Sequence, residues 1–251
     1  MRTPYVASLF AGVILSLVYI FQASYTSLMS LVSNASFLVL SIATLSSATF
    51  ALNKYWRDLR DKYSRIWLYL TAGLLLWFVS RVSWTVYAVL LNAEVPYPSI
   101  ADAIWLAGYV PIFVAMHTYL RSFGFSFSKM RYAAFAVAIS IVLLSCFVLL
   151  VPPIVASSEK EVTALLSVVY LGLDLSLFSL SMHGLFVFAH GKIGLTWAFI
   201  SVGLFLNAVG DILFSYAVQN NVYYNGHVLE LLFHTSYILC ILAFYAHTKE
   251  L

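Results

Sequence analysis

Five ionisable residues stand out in a chain that is 63% hydrophobic and only 9% charged. Arg81, Asp174 and Asp211 lie inside long apolar runs, and Asp102 and Glu230 open two others. An arginine with two carboxylates at similar depth can build a buried ion-pair network or line a ligand, ion or proton path. Asn207 shares a helical face with Asp211 at i,i+4, and His234 shares one with Glu230 and Tyr237. Trp84 follows Arg81 by one turn, and Trp105 and Tyr109 follow Asp102 at i+3 and i+7. These spacings predict one polar, aromatic-walled region, open to the outer side through Asp102 and Glu230. Arg81 is expected to contact Asp174 or Asp211.

The elements that position these residues follow from composition. A soluble domain has about 25% charged residues; this chain, with mean hydropathy +0.94, uses lipid as its main solvent. A bilayer core of roughly 30 Å takes about 20 helical residues to cross. Apolar length and turn signals give eight spans, at roughly 5–23, 34–53, 66–91, 100–120, 132–151, 164–188, 195–218 and 229–247. The expectation is therefore an all-α polytopic bundle of eight transmembrane helices, forming a single domain over 1–251. The first span, preceded by Arg2, has the look of a signal peptide, but its length and the lack of a clear cleavage site predict a retained anchor.

Lysine and arginine placement sets an orientation. Lys54, Arg57, Arg60, Lys62 and Arg65 fall in one loop, Arg121, Lys129 and Arg131 in another, and Arg2, Lys192 and Lys249 on the same side. That is eleven of the thirteen basic residues, which predicts cytoplasmic termini in the cell membrane. Tyr55, Trp56, Trp67, Tyr223 and Tyr224 read as interfacial aromatics. At the depth expected for Arg81, roughly 15 Å below the outer end of its span, a charge must face the bundle interior. Pro96 and Pro98 hold the outer loop extended, Ser99 can cap the next helix, and Asp102 sits in its first turn where a carboxylate is favoured. Glu230 can do the same for the eighth span. Pro111 predicts a kink in the fourth.

The third and fourth spans align with the seventh and eighth. Arg81 pairs with Asp211, Trp84 with Phe214, Asp102 with Glu230, Trp105 with Phe233 and Tyr109 with Tyr237. This pattern predicts a 4+4 internal repeat, with halves near 1–125 and 126–251, related by an axis along the membrane normal. Cys146 and Cys240 fall in apolar runs and read as small core residues. His227, His234 and Asp211 make an incomplete zinc set, and His117 and His183 have no haem-binding spacing. The sequence gives no reason to expect a metal or a cofactor, and its basic residues lie in loops between spans rather than in a nucleic-acid-binding surface.

The run Trp84-x-x-Tyr87, then PYPSIAD with Trp105 and Gly108-Tyr109, resembles the multi-span membrane input region of archaeal sensor histidine kinases and bacterial cyclic-di-GMP enzymes. The later stretch GDILFSYAVQNNVYYNGHVLELLFHTSYILCILAFY resembles the corresponding later spans. The likeness covers roughly residues 66–120 and 195–247. It implies a non-enzymatic membrane sensor that binds a small ligand or lipid, and because no kinase or cyclase follows, the signal is expected to pass to a separate partner protein. Gly210-Asp211 with His234-x-x-Tyr237 is similar to the membrane lysoplasmalogenases, in which paired aspartates hydrolyse the lipid. This second likeness implies Asp211 and Asp174 as catalytic acids, although Arg81 stands where the first half would need a matching aspartate. Transport is a third class compatible with the repeat and the midplane charges.

Overall fold

The computed structural model describes residues 3–55, 60–91, 98–122, 129–156, 161–189, 194–220 and 222–250. Among them are eight helices long and apolar enough to cross a membrane: α1 (Thr3–Ile20), α2 (Thr26–Asn53), α3 (Lys62–Thr85), α4 (Ile100–Arg121), α5 (Lys129–Ala156), α6 (Glu161–Ala189), α7 (Leu195–Gln219) and α8 (Glu230–Glu250). The chain is an all-α, multi-pass membrane bundle. Trp56, Arg57, Pro96, Lys160 and Lys192 lie outside the described residues.

Three boundaries differ from the sequence reading. The second helix begins at Thr26 rather than near 34, after a single 3-10 turn at Gln22–Ser24. Its polar stretch Ser33–Asn34–Ala35–Ser36 lies inside the helix, its hydroxyls and amide bonding to partners on α8 or back along their own helix. The end of α3 widens into a π-helical turn, Val86–Leu90. The fifth helix continues through Pro152 and Pro153 to Ala156.

Local chemistry fixes the helix starts. Asp61 caps α3, its Oδ2 accepting from the backbone N–H groups of Tyr63 (2.8 Å) and Ser64 (3.0 Å). At α4, the Asp102 carboxylate reaches back to the Ser99 backbone N–H and takes the Ser99 hydroxyl, both at 2.7 Å. The expected acid at the mouth of this helix is in place. Pro111 lies inside α4, which continues past it to Arg121.

Six helices close a ring. Going round, α2 packs on α3, α3 on α4, α4 on α6, α6 on α7, α7 on α8, and α8 returns to α2. The other two are peripheral: α1 lies against α8, and α5 against α6 and α7. In α1 and α5 only 6% of the spanning window is buried, against 56% in α8, so α8 is the most enclosed strut of the ring. The pairing order of the ring is the same in both halves, but α1 and α5 do not occupy matching places. The repeat therefore stays a reading of the sequence.

The main core lies toward the basic end, where Trp67, Leu70, Leu74, Trp77, Ile112, Met116 and Leu204 are buried. Helices in lipid gain nothing from excluding tails as apolar as themselves, so small residues that allow close approach decide the pairing. At the α3–α4 contact, a Cβ on Gly73 would sit 2.9 Å from the Gly108 carbonyl oxygen, and one on Gly108 would sit 2.5 Å from the Trp77 ring. The two glycines let Trp77 reach across, donating from Nε1 to the Trp105 carbonyl at 3.1 Å and stacking on the Trp105 ring at 5.3 Å. Gly73→Ala is expected to lower stability in detergent by about 1–3 kcal/mol through this backbone crowding. A thermal unfolding midpoint unchanged from wild type would show that the helices do not depend on the close approach.

Candidate functional site

The site has two parts, both away from the basic end. The first gathers on Glu230, the opening residue of α8, which is 1% exposed. Its Oε2 accepts from the Tyr19 hydroxyl of α1 and the Ser33 hydroxyl of α2, each at 2.6 Å. Its Oε1 accepts from Tyr223 at 2.9 Å and from the Gly226 backbone N–H at 2.8 Å. Four donors on one carboxylate, from two other helices and the α7–α8 connection, go well beyond the helix-start role read from the sequence. Gly226 has φ +94° and lies against Met29, so both its backbone conformation and the space around it require glycine. Burial, then the Glu230 charge, push the Tyr223 hydroxyl well above the usual tyrosine range, which keeps it a donor.

One turn on, His234 sits with Nδ1 2.7 Å from the Glu230 carbonyl oxygen and Nε2 2.7 Å from Ser36 Oγ. A carbonyl only accepts, so Nδ1 holds a proton. The His234 ring lies 4.3 Å from Phe37. Asp102, at the start of α4, accepts from the Tyr170 hydroxyl of α6 at 3.0 Å as well as from Ser99.

The second part is at mid-depth. Arg81 lies with its guanidinium carbon 4.1 Å from the Phe37 ring centre of α2 and 5.7 Å from Trp105 of α4. Tyr237 of α8 is beside it. Tyr109, fully buried, donates to Asp174 of α6, and Asn207 Nδ2 donates to Asp211 Oδ2 of α7 at 2.7 Å. Asp174 and Asp211 are near enough for each to feel the other.

The expected contact between Arg81 and an acid is not formed. Asp211 is near enough to feel the arginine's charge, yet among the described residues no carboxylate pairs with it. The aromatic faces of Phe37 and Trp105 take the guanidinium, while Tyr109 and Asn207 take the acids. Arg81 Nε is buried with no hydrogen-bond partner. Several side chains of the region bond to one another. A cavity of about 420 Å³ among the described residues lies at the opposite, basic end of the bundle.

Ten of the candidate residues thus fall into these two linked groups. Trp84 does not; it is half-buried on α3 and makes no ring contact with either group among the described residues. Tyr19, Ser33, Ser36, Phe37, Tyr170 and Tyr223 belong to the site and were missed. The signal for three of them was present: Ser33, Ser36 and Phe37 are spaced i, i+3, i+4 and mark one helical face. Tyr19 and Tyr223 gave no such signal, because a tyrosine near a span end reads as an interfacial anchor.

Comparison with family models, curated proteins and solved structures returns no match for this chain.

Glu230→Gln turns one carboxylate oxygen into an amide that faces donors instead of accepting from them. The expected loss is about 2–4 kcal/mol of stability in detergent, with Tyr223→Phe losing about 1 kcal/mol at the same hub. A Gln variant as stable as wild type by thermal unfolding would show that the hub does not hold α1, α2 and α8 together.

Proposed function

We propose that this chain is a membrane sensor that binds a small acidic ligand or an anionic lipid at Arg81 and passes its occupancy to a separate signalling protein. The observation that carries the reading is the state of Arg81. A cation at mid-depth is costly unless paired, and here the aromatic faces of Phe37 and Trp105 hold it while Nε has no hydrogen-bond partner. An arginine held by rings and Tyr237 rather than by a carboxylate keeps part of its planar fork, Nε included, for a carboxylate or phosphate from outside. Tyr237 beside it, and the Glu230 hub one or two turns above, link such a ligand to α1, α2 and α8. The resemblance to the input regions of sensor kinases and cyclic-di-GMP enzymes agrees with this reading. The crowding of basic residues at one end supports a cell-membrane orientation with both termini cytoplasmic.

The test is ligand-induced stabilisation in a non-ionic detergent. A ligand at a hundredfold excess over its Kd adds about 2.7 kcal/mol of stability. A long-chain fatty acid or a lysophosphatidic acid should raise the unfolding temperature of the wild type, and Arg81→Gln should abolish that rise. Equal responses from both proteins, or none from the wild type, would remove Arg81 as the binding group.

A second reading rests on a different observation, the nearness of Asp174 and Asp211. Two carboxyls sharing one apolar site are suited to divide acid and base roles. With Tyr109 and Asn207 orienting them, they match the paired acids implied by the lysoplasmalogenase likeness. Transport has less support, since α4, the span with a central proline, continues unbroken. Purified protein given vinyl-ether and ester lysophospholipids decides between hydrolase and sensor. Under the sensor reading, no aldehyde or fatty acid is released. Turnover that falls by about a hundredfold or more in Asp211→Asn would make the chain a hydrolase instead.

A further inference from the structure

The basic end of the bundle holds a feature that the Arg81 reading does not use. A cavity of about 420 Å³ opens there between the α2–α3 connection and helices α4, α7 and α8. Its walls are aromatic: Tyr55, Trp67, Tyr119, Trp197 and His247 all line it, with the carboxylate of Asp61 at the rim. The rings brace one another. Tyr119 stacks on Trp197 at 3.6 Å, Trp67 lies 5.4 Å from Trp197 and 4.1 Å from His247, and Tyr55 stacks on His247 at 5.5 Å. Trp67 and Trp197 are only 3% and 6% exposed, so the wall is fixed by the core behind it. The Tyr55 hydroxyl lies 2.7 Å from His247 Nε2. Burial, followed by the Asp61 charge, pushes its pKa above the usual tyrosine value, so it stays a neutral ring.

Among the described residues, the formal charge that lines this cavity is opposite to the charges crowded around it. Lys54, Arg60, Lys62 and Arg65 crowd the same end of the molecule, yet none of them is among the described residues that line it, and its one formal charge there is Asp61. Asp61 spends both of its capping bonds through Oδ2, so Oδ1 makes neither. Aromatic faces and a carboxylate attract the same kind of guest, a weakly hydrated cation, by the ring quadrupole and by direct charge. An interfacial aromatic belt would present scattered rings to lipid; here five rings from five chain segments meet around one space.

We propose that this cavity is a binding site for a methylated ammonium group, either the choline head of a membrane lipid or a free quaternary amine. The full-length protein in a maltoside detergent is tested by equilibrium dialysis with radiolabelled tetramethylammonium, at fixed ionic strength against sodium. Saturable binding is expected. Asp61→Asn keeps an acceptor for the α3 cap while removing the charge, and should weaken binding about fivefold. Tyr119→Leu, which removes a wall ring, should weaken it by a similar factor, about fivefold. Nanodiscs separate the sources: phosphatidylcholine discs that exclude the probe, where phosphatidylglycerol discs do not, assign the site to a lipid head, and equal binding in both assigns it to a soluble amine. Wild-type binding no better than the sodium-competed background overturns the proposal, as does binding unchanged in both variants. Because none of these readouts involves Arg81, Asp174 or Asp211, they stand or fall apart from the sensor reading.

Discussion

Lipid offers no hydrogen bonds, and that constraint organises this molecule more than any single packing contact. A polar group inside the bilayer that finds no partner within the protein is left at a cost. Glu230 is the clearest outcome. A carboxylate that is 1% exposed persists only because two hydroxyls from other helices and two donors from its own connection converge on it. Those bonds fix where α1 docks, turn the polar face of α2 inward and shape the loop before α8. A change at one carboxylate therefore reaches three helices at once.

At mid-depth the same constraint gives a different solution. The acids and the arginine avoid direct pairing; each is satisfied separately, Asp174 by Tyr109, Asp211 by Asn207, and Arg81 by aromatic faces. A buried salt bridge would have locked all three in place, since removing one member strands the other at considerable cost. Separate satisfaction leaves the charges near each other but uncommitted.

Much of the architecture was legible in the sequence because apolar length and turn chemistry are local signals. The eight helices, the capping group at Ser99 and Asp102, and the burial of Asp174 were all readable in this way. The start of α2 was not: the polar residues before and around Ser33 break the apolar run, and the Ser33 and Ser36 partners that keep them inside the helix lie some two hundred residues away. The Arg81 contact failed for a related reason. Depth and sign predicted an acid, but whether a guanidinium meets a carboxylate or a ring depends on which side chain the helix rotation brings near, and Phe37 lies on a helix that charge counting never consults. The aromatic cavity was missed because its rings are spread over five segments, each resembling an ordinary interfacial residue.

The closed ring of six helices has a consequence for how the chain is made. Helices enter the membrane in the order they are synthesised, and α8 is the strut that joins α7 back to α2. Until it arrives, the hydroxyls of Ser33 and Ser36 on α2 and of Tyr19 on α1 have not met Glu230 and His234. The first seven helices must wait in the bilayer with that polar seam unfilled. Closing this seam thus waits for α8, and a nascent chain stalled before Glu230 would present its hydrophilic edge to lipid or to whatever insertion factor shields it.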